Sequence, residues 1–258
     1  MNNQEIKPLG TVKSICYFGI LGTVFYLSYH YLRIYLLKNG FSDISSYLVS
    51  LGTPAFLLFC ISIFYYKIIE KRELSIPEFS KRMNLPKFTW KDITWGLGLF
   101  VCGFLGYGLA TFLTKYVISI CHINIPTNIA ILDIPDLQIT KDVLNQAAGG
   151  QIVNKWYLVL LFAVVLFFNI FGEELLWRGI ILPKQKIVFK KNAWILNGTL
   201  WALFHFFKWW DIINLLPTCL LIAYVSQKRS NNWSGIIAHS LMNISGFIVI
   251  TLAVAGVY

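Results

Sequence analysis

The sequence predicts an all-α fold: a polytopic transmembrane helical bundle of about seven spans (six to eight), forming one integral membrane domain over 1–258. Three observations carry this. Of the 258 residues, 57% are hydrophobic and only 13% charged, about half the charge of a soluble domain. Long apolar runs alternate with short basic ones, as in helical membrane proteins. The 22 Lys and Arg outnumber 12 Asp and Glu, for a net charge of +10. In a soluble protein that excess suggests nucleic acid. In a chain this apolar it reads as loops beside anionic lipid, so the lipid bilayer is the expected partner and no nucleic acid is.

Taken in order, the expected spans are 14–37, 46–67, 93–119, 156–182, 193–207, 210–227 and 232–257. About 20 helical residues cross the ~30 Å hydrocarbon core, so 193–207 is short and 156–182 has length to spare. The N-terminus lacks a short apolar core followed by a small-residue cleavage site, which makes 14–37 a retained span. Sixteen of the 22 Lys and Arg fall on the side that holds the N-terminus. That bias places the N-terminus in the cytoplasm, the plasma membrane being the expected location. The loop at 70–91 is then internal, an interfacial helix broken by Pro77 and Pro86, and 120–155 is external. Cys16, Cys60, Cys102, Cys121 and Cys219 form no CxxC pair and read as small buried hydrophobes rather than disulfides or metal ligands.

Of the acids, only Glu173 and Glu174 lie well inside an apolar run. A carboxylate near the bilayer centre costs at least about 2.5–3.5 kcal/mol, so an adjacent pair needs a reason. Successive helical residues diverge by about 100°. Arg178 stands four residues after Glu174, the favourable order for an ion pair, which leaves Glu173 free on another face. Gly172 and Gly179 flank the acids and permit close helix approach. His30 and His122 read as interfacial. His205 lies in the short fifth span, and His239 in the last, with Asn243 one turn on. At ~1.5 Å per residue, Glu173, His205, His239 and Asn243 fall about 12–20 Å from the cytoplasmic boundary, in one layer.

The ordered trio Glu-Glu-x-x-x-Arg (Glu173, Glu174, Arg178), aromatic-x-x-x-His (Trp201, His205) and His-x-x-x-Asn (His239, Asn243) resembles the CAAX-protease and bacteriocin-processing (Abi) family. These intramembrane proteases include the type II CAAX prenyl endopeptidases. The resemblance covers about 156–245. It implies an active-site core in the last four spans, 156–257, and hydrolysis of a peptide bond in a protein or peptide substrate, lipidated or not. It implies Glu173 as general base, His205 assisting it, and His239 with Asn243 at the oxyanion, supported by Glu174 and Arg178. Where the family usually carries Phe, this chain has Trp201, and an altered pocket shape is expected.

The residues suit that chemistry. A base for water, a proton carrier and neutral oxyanion donors are what amide hydrolysis requires, and no Ser or Cys is partnered with these histidines. The expected mechanism uses no cofactor. Zinc held by Glu173, His205 and His239, with an open fourth position, is the alternative. Two other classes use the same residues: a non-catalytic immunity or scaffold protein, and a proton-coupled transporter, against which the missing internal repeat weighs.

Overall fold

The computed structural model describes residues 6–122, 124, 126, 128–135 and 137–258. It is helical, with no strand among the described residues. Helix α1 (Thr11–Lys38) widens into a π turn at Ser28–Leu32. Helix α2 (Asp43–Ile69) starts where the Ser42 hydroxyl accepts the Ser45 N–H, which satisfies one of its first donors. Helix α3 (Ile76–Arg82) has Pro77 in its first turn, where the missing N–H costs nothing. Helix α4 (Trp90–Cys121) opens with a capping box between Thr89 and Asp92. Helix α5 (Lys141–Ala147) is short. Helix α6 covers 156–189, passing through a π segment at Glu174–Ile181. Helices α7 (Ala193–Phe204), α8 (Ile212–Arg229) and α9 (Trp233–Val254) complete the bundle.

Five helical runs are long and apolar enough to cross a membrane: Thr11–Lys38, Asp43–Ile69, Trp90–Cys121, Trp156–Arg229 and Trp233–Val254. The expected spans at 193–207 and 210–227 are present as α7 and α8 within the fourth run. With 12 residues, α7 rises only about 18 Å and cannot cross alone. It packs within the bundle beside α1 and α8.

Close backbone approach positions the acids. A Cβ on Gly172 would stand 2.7 Å from the Ala55 carbonyl oxygen, so α2 and α6 meet nearly backbone to backbone. Gly198 brings α7 onto α8 in the same way, its Cβ position 2.8 Å from the Cys219 carbonyl oxygen. Aromatic packing fills the layer beneath: Phe18 of α1 stacks on Trp177 at 4.0 Å, and Phe25 meets Phe204 edge-on.

The 70–91 loop does not lie free on the surface. Its helix begins at Ile76 and ends before Pro86, and Arg82 turns inward to the π segment. Arg82 donates twice to Glu70, at 2.6 Å each, and again to the Gly179 carbonyl. Gly179 faces Met83, whose Sδ would be 2.8 Å from any added Cβ. Lys184 adds a second cation, 3.5 Å from Glu70. Burial alone raises the Glu70 carboxyl, but Arg82, Lys184 and Arg72 outweigh it and hold the group below its ordinary value. A lowered folded value means that the stabilisation is complete above the unfolded value of about 4.3 and is lost as pH falls through the folded one. Melting of the detergent-solubilised protein should therefore drop steeply below about pH 4, and Glu70→Gln should flatten that limb while lowering the melting temperature at pH 7. Parallel curves would refute it.

The cysteines correct the sequence reading. Cys219 is buried and Cys60 partly so, but Cys16, Cys102 and Cys121 are exposed on the outer surfaces of their helices, and all five are unpaired.

Candidate active site

The π segment at Glu174–Ile181 decides how the two acids are used. Its wider turn starts between them, and such segments concentrate at functional sites. Glu173, 1% exposed, lines a cavity, and Glu174 lies behind it. Both Glu173 oxygens accept hydrogen bonds from neutral donors. Asn169, one turn earlier on α6, donates to Oε1 at 2.8 Å. The Trp201 indole N–H of α7 donates to Oε2.

Glu174 is fully buried and its Oε1 serves two partners. Arg178 Nη1 is 3.4 Å away, the pairing expected from the spacing, and His239 Nδ1 is 3.1 Å away. The His239 contact was not anticipated from sequence, because nothing in the spacing says which face of α9 meets α6. Arg178 has its Cζ 3.5 Å from the centre of the Trp201 ring, a cation–π contact in a desolvated setting.

Trp201 is the hub. Besides its bonds to Glu173 and Arg178, its carbonyl accepts from His205 Nδ1 at 2.8 Å. Its ring lies 5.9 Å from the His205 ring and 5.4 Å from the His239 ring. With Nδ1 donating to that carbonyl, the neutral His205 imidazole carries its lone pair on Nε2. Asn243 donates to the His239 carbonyl at 3.0 Å, keeping its side chain along α9. Beyond the pocket shape expected of it, Trp201 supplies a hydrogen bond to Glu173 that Phe could not donate. Asn169 was missed altogether. Its sole signal was Asn-x-x-x-Glu spacing on one helix face.

The cavity holds about 430 Å³. Glu173, Asn169, Trp201, His205, His239 and Asn243 line one part of it, while Glu174 and Arg178 stand outside. Its other walls are mostly apolar, from Leu51, Phe104 and Met242 among others, with Lys208 and Asp211 at another part of the lining. Residues 155–245 match the type II CAAX prenyl endopeptidase Rce1-like family. The matched Rce1-like segment contains every residue of this arrangement and runs from the start of α6 into α9. No curated protein and no solved structure matches the chain. The family match supports a CAAX-type intramembrane protease that acts on a protein or peptide in a membrane. His30 and His122 stay outside the cavity; His30 Nε2 lies 2.9 Å from the Phe207 carbonyl and pins the turn after His205.

Among the described residues no three His, Cys, Asp or Glu side chains converge as ligands would.

Proposed function

We propose that the protein is an intramembrane endopeptidase that hydrolyses a peptide bond of a membrane-associated or prenylated protein or peptide, using a water activated by Glu173 and His205. The observation that carries the reading is the sharing of one desolvated cavity by a doubly anchored carboxylate and two imidazoles joined through Trp201. Glu173 takes a proton from water as the water oxygen bonds the scissile carbonyl carbon. His205, fixed through Nδ1, accepts from that water at Nε2. His239, donating from Nδ1 to Glu174, and Asn243 supply N–H donors to the oxyanion, His239 doing so when Nε2 also carries a proton. As the C–N bond breaks, the proton passes from Glu173 through His205 to the leaving amine. Glu174 and Arg178 hold His239 and Trp201 in place. No metal enters this scheme. The excess of Lys and Arg in alternate loops supports a cytoplasmic N-terminus in the plasma membrane.

Purified protein in vesicles should cleave a substrate, found by comparing peptides from cells with and without Glu173. Glu173→Ala, His205→Ala and His239→Ala should each abolish cleavage while leaving the protein folded. Full biological activity in all three would sink the enzyme reading and favour a binding role, and stoichiometric zinc whose chelation stops turnover would overturn the metal-free scheme. Trp201→Phe tests the anchor separately. It keeps the ring on Arg178 but removes one hydrogen bond to a charged group, which is worth about 1.5–3 kcal/mol. A loss of about 10–100-fold in kcat with KM little changed is expected. A change confined to KM would instead favour a role in pocket shape.

A further inference from the structure

Besides Glu173, the described residues lining the cavity include two with fixed charges, Lys208 and Asp211. Both lie in the 3₁₀ turn His205–Asp211 that follows α7. Lys208 is matched. Its Nζ donates to Asp133 Oδ1 at 2.7 Å and to the Tyr47 hydroxyl at 3.0 Å, and Tyr29 donates to the other Asp133 oxygen at 2.7 Å. Asp211 is not matched. Its Oδ1 accepts from the Tyr107 hydroxyl at 2.7 Å and from Asn214 Nδ2 at 3.0 Å, both neutral donors. Thr114 donates to Asn214 Oδ1 at 2.8 Å and so fixes the amide that holds the acid. Asp211 has no ion pair among the described residues, and its second oxygen takes no hydrogen bond.

A carboxylate oriented by neutral donors at the wall of a mostly apolar cavity selects for a cation. We infer that Asp211 is a specificity-determining residue, which pairs with a positive group of the peptide substrate, a Lys or Arg side chain or a free amino terminus. The inference rests on the protease reading above. Reach sets the register. From His205 to Asp211 the chain makes 3₁₀ turns on either side of a break at Lys208, so it advances at most about 14 Å, at 2.0 Å per residue with one extended step, which an extended peptide covers in about four residues. The cation therefore sits within about four residues of the cleaved bond. A free carboxyl terminus bound there would face Asp211 and an ammonium already neutralised by Asp133, so this end of the cavity disfavours it.

The test uses the full-length protein in phosphatidylcholine vesicles and a library of apolar peptides carrying Lys, Gln or Glu at successive positions, each with a free or acetylated amino terminus. At one register the Lys peptide should show kcat/KM at least about fivefold above its Gln analogue, with Glu below both, the size expected of one half-buried ion pair. A similar advantage of free over acetylated peptides, with Lys and Gln alike, would assign the cation to the terminus, and a Lys-over-Gln advantage that survives acetylation would assign it to the side chain. Asp211→Asn should bring the Lys/Gln ratio close to one, and Asp211→Glu should keep it. Equal cleavage of the Lys, Gln and Glu series by the wild-type protein, with free and acetylated amino termini alike, would overturn this inference alone, whatever the variants do. Cleavage of no peptide or protein at all would overturn the protease reading and take this inference with it.

Discussion

Glu173→Gln should lower peptide cleavage by about 10²–10⁴-fold, the usual contribution of a positioned general base. The size follows from what surrounds the group. Asn169 and Trp201 both offer it donors, so the pocket is built for a side chain with two acceptor oxygens. Glutamine has one. Its amide N–H₂ must turn towards either the Asn169 amide or the Trp201 indole N–H, and one buried donor is left unmade at a cost of about 1–3 kcal/mol. The variant should therefore melt lower than the wild type as well as lose turnover. Asparagine at the same position would restore neither, being a methylene short of both donors. Turnover within threefold of the wild type would remove Glu173 from the chemistry and shift attention to His205 and His239, which reach the cavity independently of it.

The parts of this arrangement that could be read in the sequence are those governed by regular spacing. Glu174 and Arg178 are four apart on one helix, and their ion pair follows from helical geometry alone. Asn243 likewise stands one turn from His239 and bonds its carbonyl. Runs of apolar residues fixed where helices form, because length and hydropathy suffice for that. Contacts between helices were not legible. Nothing local announces that Trp201 turns its N–H to Glu173 across 28 positions of sequence, or that Lys208 reaches Asp133 across 75. The π segment has no residue signature, yet it sets the facing of both acids. The cysteines illustrate the same limit. Lipid and protein interior are equally apolar, so hydropathy cannot tell a buried thiol such as Cys219 from exposed ones such as Cys16 and Cys102.

Arg178→Met should destabilise the fold by about 3–5 kcal/mol, the cost of stripping a buried charge of its partner. Both members of the pair are wholly inaccessible, and Glu174 would keep only His239 at 3.1 Å. The wild-type pair is itself an expensive device. None of the Arg178 nitrogens has a hydrogen-bond partner among the described residues, nor does Glu174 Oε2, so the guanidinium is held by charge and by the Trp201 ring face. Two incompletely satisfied ions in a desolvated core gain little over apolar residues of the same volume. Removing both should therefore cost less than removing one: Glu174→Gln with Arg178→Met should recover at least about half of the single-variant loss, a coupling of the kind a double-mutant cycle isolates. Thermal unfolding of the four proteins in one detergent measures it. Losses that simply add would mean that Arg178 acts through packing on Trp201 rather than through Glu174. If instead the double variant is stable but inactive, the pair is kept for the orientation of His239, and the fold retains a costly buried salt bridge because the reaction at Glu173 needs that imidazole turned one way.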